Sequence, residues 1–237
     1  MHEGEPTGGD RPPGLEGQRR SRCSACPQRA HCLPAQLEGT ALAEFERAVI
    51  HLPTLFKGRT LVSEGEPFQA LYALRRGILK AVRHDANGDE QIIAFHWPGT
   101  VLGIAEQESG VWTASQAALT DAWLCRIPAG LITPAMQCRA SQLLIAAVRV
   151  EYERLLILAH RDAAQRLATM LVYVCEAMGA QRLSLSMSRA DLANYLGLRQ
   201  ETLSRQLREL VACGWVATQG RNIEIRDLAG LWRFATG

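Results

Sequence analysis

The sequence predicts an α+β chain: an N-terminal β-roll, then one long helix, then a C-terminal winged helix-turn-helix. Three observations carry this. Between residue 51 and about 128, short apolar segments alternate with breaks at Glu64-Gly65, Arg76-Gly77, Asn87-Gly88 and Pro98-Gly99, as expected of many short strands closing into a roll or barrel. From about 134 to 160 the apolar spacing is helical without interruption,. The last part reads as helix, glycine turn, second helix and an alternating tail,.

Composition sets the outer bounds. The chain has 237 residues, 47% hydrophobic and 21% charged, as in a soluble globular protein with one large domain or two ordinary ones,. A net charge of +2 does not identify a nucleic-acid binder, so any DNA contact must come from locally concentrated basic residues,. Seven cysteines, an odd count, with no signal-peptide pattern in residues 1–18 point to a reducing cytoplasm rather than a disulfide framework,. No apolar run approaches the roughly 18 residues of a membrane span.

Residues 1–22 are rich in Gly, Pro, Glu and Arg with little to bury, and are expected to be disordered,. The next stretch runs from Cys23 through Cys26 to Cys32 in the spacing C-x2-C-x5-C. Three thiols on one short loop suit a soft metal or an iron–sulfur cluster, whereas a disulfide would strand one of them. A short helix over 36–50 follows, with Leu37, Leu42, Phe45 and Val49 available for one face,.

Strand-like segments then fall at 60–62, 70–74, 78–82 and 91–95. Asn87-Gly88 between two of them predicts a hairpin in which both residues tolerate positive φ. Across 134–161, Leu144, Val148, Glu151, Leu155 and Leu158 are separated by four, three, four and three residues. This is a coiled-coil seam carrying one carboxylate, and it favours a homodimer over a helix packed only on its own domain. In a parallel pair Glu151 would face its twin, and like charges in a partly desolvated place repel. A partner arginine, Arg149 or Arg154, is the alternative that would neutralise it.

A helix over 162–178 is expected to stop at Gly179, with a short strand at 183–186. Ser188 and Asp191 have capping-box spacing at the start of the next helix. Gly197 supplies a tight turn, Leu198 and Leu203 close the small core, and the second helix opens on polar side chains able to reach base edges. Residues 214–226, with Gln219-Gly220 at the turn, read as a wing.

With these residues in place, the chain resembles the CRP/FNR superfamily, specifically its oxygen-sensing FNR branch. The pieces that carry the resemblance are the C-x2-C-x5-C loop, Gly88-Asp-Glu-Gln-Ile, Trp123-Leu-Cys125-Arg-Ile-Pro128 and Glu201-Thr-Leu-Ser204-Arg205, in one register from Cys23 onward. The resemblance implies a cyclic-nucleotide-binding-like β-roll sensor domain over 23–133, a dimerisation helix over 134–161 and a DNA-binding domain over 162–237.

It further implies a [4Fe-4S] cluster held by Cys23, Cys26, Cys32 and the distant Cys125, stable without oxygen and favouring the dimer when intact. Cys138, Cys175 and Cys213 match no ligand position. On double-stranded DNA, Glu201 would accept from cytosine, Arg205 would bond guanine or a phosphate, and Ser204 would lie against a thymine, in a palindromic TTGAT-type site. Gln200 departs from the small apolar residue usual before that glutamate. Arg199, Arg208 and Arg189 fit phosphate contacts. Exposed loops such as 85–89 are implied to touch RNA polymerase, consistent with an activator. The stretch 98–116 lacks the arginine of the cyclic-nucleotide phosphate cassette, so cAMP is not expected. His31 and Pro27 beside the ligand cysteines depart from the family pattern and bear on oxygen sensitivity.

A zinc-stabilised regulator, using the three loop cysteines with His31 or Cys125, is the principal rival, together with heme or other small-ligand sensors of the superfamily. A redox carrier or enzyme would not need a helix-turn-helix, and the sequence has no catalytic constellation.

Overall fold

The computed structural model describes residues 22–160, 162–178, 182–183, 187–220 and 222–236. The expected tail up to residue 21, the stop at Gly179 and the 184–186 part of the expected strand lie outside the described residues.

The cysteine stretch folds as three single turns of 3₁₀ helix, Cys23–Ala25, Arg29–His31 and Leu33–Gln36. Pro27 and Pro34 lack the N–H that a longer helix would need, and Pro34 leaves helical geometry at φ −80°, ψ 16°,. Helix α1 therefore begins later than the apolar spacing indicated, at Gly39–Ala48. It buries Phe45, and Leu37 and Val49 are buried on either side of it.

The β-roll comprises β1 (Ile50–His51), β2 (Thr60–Val62), β3 (Ala70–Arg76), β4 (Leu79–His84), β5 (Glu90–His96), β6 (Val101–Leu102), the short helix α2 (Glu106–Ser109), β7 (Ser115–Ala118) and β8 (Trp123–Pro128). These strands form two four-stranded sheets ordered β1-β8-β3-β6 and β2-β7-β4-β5. Every pairing in them is antiparallel. The β4–β5 turn differs from the expected one. Gly88 takes φ +85°, but Asn87 does not take positive φ. Instead the Asp85 carboxylate accepts from the Asn87 and Asp89 N–H groups at 2.8 and 3.0 Å. The aspartate thus does locally what a second left-handed residue would have done.

Helix α3 (Pro134–Ala159) runs unbroken for 26 residues, with Pro134 in the first turn where its missing N–H costs nothing,. Helix α4 (Ala163–Met178), β9 (Arg182–Leu183), α5 (Arg189–Tyr195), α6 (Gln200–Ala212), β10 (Val216–Gln219), β11 (Asn222–Ile225) and α7 (Leu228–Thr236) complete the chain. Strands β10 and β11 form the wing, with β9 on the outer side of β11. The capping box of α5 is present in both directions between Ser188 and Asp191. Gly197 turns the chain at φ +63°. Leu203 and Leu207 of α6 then reach the core shared with α4.

That core does not stop at the helix-turn-helix. Ile78, Val82, Ile92, Phe95 and Leu119 of the β-roll belong to the same buried cluster. The polar contacts across the junction are specific. Lys80 pairs with Asp191 at 3.0 Å, and the Asn194 side chain accepts from the Ile92 N–H and donates to the Glu90 carbonyl, each at 2.6 Å. Phe95 and Tyr195 pack with ring centroids 4.8 Å apart. The β4–β5 hairpin is thereby fixed to the first helix of the helix-turn-helix.

Candidate functional site

Cys23, Cys26, Cys32 and Cys125 line one cavity, together with Arg29, His51 and Arg75. The three loop cysteines arrive on the 3₁₀ turns, and Cys125 arrives on β8, a central strand of its sheet. Leu33, Phe45 and Met136 are packed in the cluster that contains Cys125, so the cysteine loop closes over the end of the roll. The loop is further seated on the Pro98-Gly99 turn. Gly99 takes φ +101°, and a Cβ there would lie 3.2 Å from His31 Cβ. His31 is therefore an exposed ring anchored by its Cβ, and it does not line the cavity.

The cavity is small, about 30 Å³. Among the described residues no group of three or more His, Cys, Asp or Glu stands close enough to hold a metal ion as placed. The chemistry of the donor set nevertheless fits an iron–sulfur cluster. Burial pushes the thiols up, Cys23 to about 11 and Cys32 and Cys125 to about 12; the carboxylate of Glu46 adds to the effect at Cys23. Loading such thiols with metal must release protons. The Arg29 and Arg75 Nε atoms are buried without a hydrogen-bond partner. An anionic tetrathiolate cluster supplies acceptors for such donors. His51 Nδ1 stands 3.3 Å from Cys125 Sγ and 3.5 Å from Arg75 Nη1. The sequence reading missed His51, Arg29 and Arg75, because nothing in their local spacing marks them.

Helix α3 exposes most of its expected seam. Leu144, Val148 and Leu155 are 40, 61 and 63% accessible, and Ile145 and Tyr152 widen the stripe. Leu158 is half-buried within the chain. Arg154 lies 3.9 Å from Glu151 on the same helix, one turn on, so within the chain an arginine already stands beside that carboxylate. Burial still raises the Glu151 carboxyl, with Arg154 opposing. Arg154 is itself held by Tyr195, its guanidinium carbon 5.3 Å from the ring centre.

On α6, Gln200, Glu201, Arg205 and Arg208 are exposed and Ser204 is half-buried; Arg199, also exposed, occupies the N-cap. Leu203, Gln206, Leu207 and Leu210 form the buried face of the same helix. The helix is thus held from behind with its polar first turns outward, the geometry a major-groove reader requires.

A second cleft, of about 190 Å³, separates the roll from α3 and is lined by His96, Glu106, Gln116 and Glu151 among others. The His96 ring nitrogen Nε2 is buried without a hydrogen bond, and burial pushes its pKa down to about 4, with the Gln116 side chain opposing. The unfolded chain binds this proton below about 6.5. Stability from His96 is therefore present above that value and is lost as pH falls toward about 4,. We expect urea unfolding to show about 2–3 kcal/mol less stability at a pH about 2 units below the unfolded value, with that part absent in His96→Gln.

Comparisons with known proteins agree with this architecture. Residues 54–137 match the cyclic nucleotide-binding domain and residues 165–234 match the Crp-like helix-turn-helix domain. The fumarate and nitrate reduction regulatory protein of Salmonella typhi is 30% identical over 217 residues, covering 86% of each chain. The transcriptional activator protein FnrA of Stutzerimonas stutzeri is 27% identical, over 94% of this chain and 96% of that one. The structure of FixK2 from Bradyrhizobium japonicum superimposes with a TM-score of 0.70 at 27% identity, over 78% of this chain and 96% of that one. With the roll, the long helix and the winged helix-turn-helix all in place, the chain belongs to the CRP/FNR family and is a transcriptional regulator of the FNR type, not an enzyme.

Proposed function

We propose that this regulator senses oxygen through a labile [4Fe-4S] cluster held by Cys23, Cys26, Cys32 and Cys125. The cluster would control homodimerisation along α3 and, through it, binding to a palindromic TTGAT-type DNA site. The observation that carries this reading is the convergence of four thiols from two distant parts of the chain on one cavity, whose lining includes two arginines each with a buried Nε that has no hydrogen-bond partner. When bound, the cluster supplies the oxygen-reactive centre. The chain's own residues do the rest. Arg29 and Arg75 offer N–H donors to a negative group, and the packed Leu33, Phe45 and Met136 restrict water,. The exposed apolar stripe of α3 is of a kind that a second copy would cover,. Glu201, Ser204 and Arg205 face outward for base contacts, and Arg199, Gln200 and Arg208 flank them,.

The cleft between the roll and α3 supports the view that cAMP is not the effector. A cyclic phosphate there would meet the carboxylates of Glu106 and Glu151, and the lining contains neither lysine nor arginine,. The loop at 85–89 is exposed, as a contact with RNA polymerase would require. On this reading the protein works in the cytoplasm beside the transcription machinery.

One observation favours a second reading. His51 beside Cys125 completes a Cys/His set of the kind that closes a structural zinc site,. Anaerobic purification followed by metal and sulfide analysis separates the two. A brown protein with about four irons per chain supports the cluster, and a colourless one with stoichiometric zinc supports the second reading.

The seam makes its own prediction. Glu151→Ala removes the one carboxylate from the stripe and is expected to shift the monomer–dimer equilibrium of the cluster-free protein toward dimer by roughly 5- to 10-fold. Sedimentation velocity reads this directly. A variant that remains monomeric at every accessible concentration would remove Glu151 from the interface.

A further inference from the structure

We propose that Arg139 is the positioning residue through which the state of the cysteine loop reaches the dimerisation helix; this rests on the cluster reading above. Arg139 lies on the second turn of α3. Its Nη2 donates to the Ala30 carbonyl at 2.6 Å and its Nε to the Cys32 carbonyl at 3.2 Å, across more than a hundred residues of sequence. Nη1 donates to Gln142 Oε1, 3.2 Å away and three residues on along the same helix.

The acceptors matter as much as the donor. Ala30 lies within the single 3₁₀ turn Arg29–His31, and Cys32 is its C-cap. Carbonyls at the end of such a turn have lone pairs free of that turn, and the Cys32 carbonyl also accepts from the Ala35 N–H of the next turn at 3.3 Å,. One planar guanidinium meets both carbonyls with Nε and Nη2, the two nitrogens of one edge, which a lysine ammonium cannot reproduce,. The shorter of the two bonds goes to Ala30, and the longer goes to Cys32, a proposed ligand.

The cavity supplies the reason such a link would transmit. Cys32 lines it, and the carbonyl of the same residue accepts from Arg139, so a displacement at the sulfur is passed to the backbone that the arginine holds. The loop backbone is tied to α3 at Arg139, and Met136, Ala140 and Leu143 of the same helix pack into the core beneath it. Movement at Cys32 is therefore felt on the turns of α3 that lead into the exposed stripe beginning at Leu144. Interfaces of this kind respond to small displacements because their packing has few alternatives.

The test uses the full chain, with and without cluster, as wild type, Arg139→Met and Arg139→Lys. Methionine keeps the apolar stem and removes the fork. The dimer dissociation constants of loaded and cluster-free protein are compared by sedimentation, with iron content measured on the same samples. Couplings between sites typically change affinity roughly 5- to 150-fold. In Arg139→Met iron content is expected to match wild type while this ratio falls to within about 2-fold of unity, with Arg139→Lys between. A contact that is merely structural weakens both forms and leaves the ratio unchanged. That result overturns the inference.

Hydrogen exchange on the cluster-free chains gives a readout that needs no cluster. Amides of residues 29–36 are expected to exchange faster in Arg139→Met, and unchanged rates also overturn the inference. If wild type itself dimerises equally with and without cluster, the cluster reading fails. Altered exchange would then show that the loop–helix link stands without it. Should Arg139→Met not fold, Arg139→Lys carries the same comparisons.

Discussion

Cys125→Ala is expected to give a folded protein that retains no [4Fe-4S] cluster. The side chain is 7% exposed on a central strand of its sheet, and shortening it by one sulfur costs about 1 kcal/mol of stability,. Its chemical effect is much larger. Three thiols on one loop are left facing a wall with no sulfur, and a cubane cluster takes four. Iron per chain is expected to fall from about four to near zero after anaerobic gel filtration, with far-UV circular dichroism unchanged. His51 sets up the informative contrast, because its Nδ1 is 3.3 Å from the same sulfur. If Cys125→Ala keeps its metal and His51→Ala loses it, the fourth ligand is the histidine and the second reading gains.

Arg205→Ala is expected to weaken binding to a palindromic TTGAT-type operator by roughly 5- to 150-fold, corresponding to about 1–3 kcal/mol for a bidentate base contact. Arg205 is exposed on the first half of α6, the turns whose buried Leu203 and Leu207 fix the helix from behind. Arg208→Ala provides the comparison. It lies one turn on, its Nε 3.4 Å from the Ser204 carbonyl, and it suits a phosphate rather than a base,. Its loss is expected to lower affinity about equally for all sequences and to reduce the salt dependence by about one ion. Fluorescence anisotropy over a salt series, with matched and scrambled operators, separates these effects. Equal losses on both operators for Arg205→Ala would move that residue to the phosphate class.

The parts of this protein that were legible in its sequence are those whose physics is local. The α5 capping box follows from Ser188 and Asp191 three residues apart, and both of its hydrogen bonds form. Gly197 was legible because a turn between two short helices needs its left-handed φ of +63°. The three loop cysteines announced a shared site by spacing alone, whereas Cys125 was reachable only through resemblance to a family. The hairpin at Asn87-Gly88 was expected for a partly wrong reason, since the Asp85 carboxylate rather than a positive φ at Asn87 closes it.

What was not legible depends on contacts between distant residues. Strands β1 and β6 have two residues each, too few for an alternation to show,. Arg139 reads as an ordinary polar residue of α3, yet it reaches Ala30 and Cys32. Lys80 and Asn194 likewise give no local sign that they join the roll to the helix-turn-helix. Arg154 gives no local sign that it stands beside Glu151 within the chain while packing on Tyr195. In each case the sequence offers a side chain with reach, and only the fold decides what it touches.

In the function proposed, one loop of thiols governs whether two copies associate and grip DNA. This is tested most directly on a single anaerobic sample, with sedimentation and operator binding measured before and after exposure to air alongside its iron content. The expected result is a dimer that binds the operator while iron is near four per chain, and a monomer that binds at least about 10-fold more weakly once iron is lost. Unchanged association and binding through the loss of iron would contradict it.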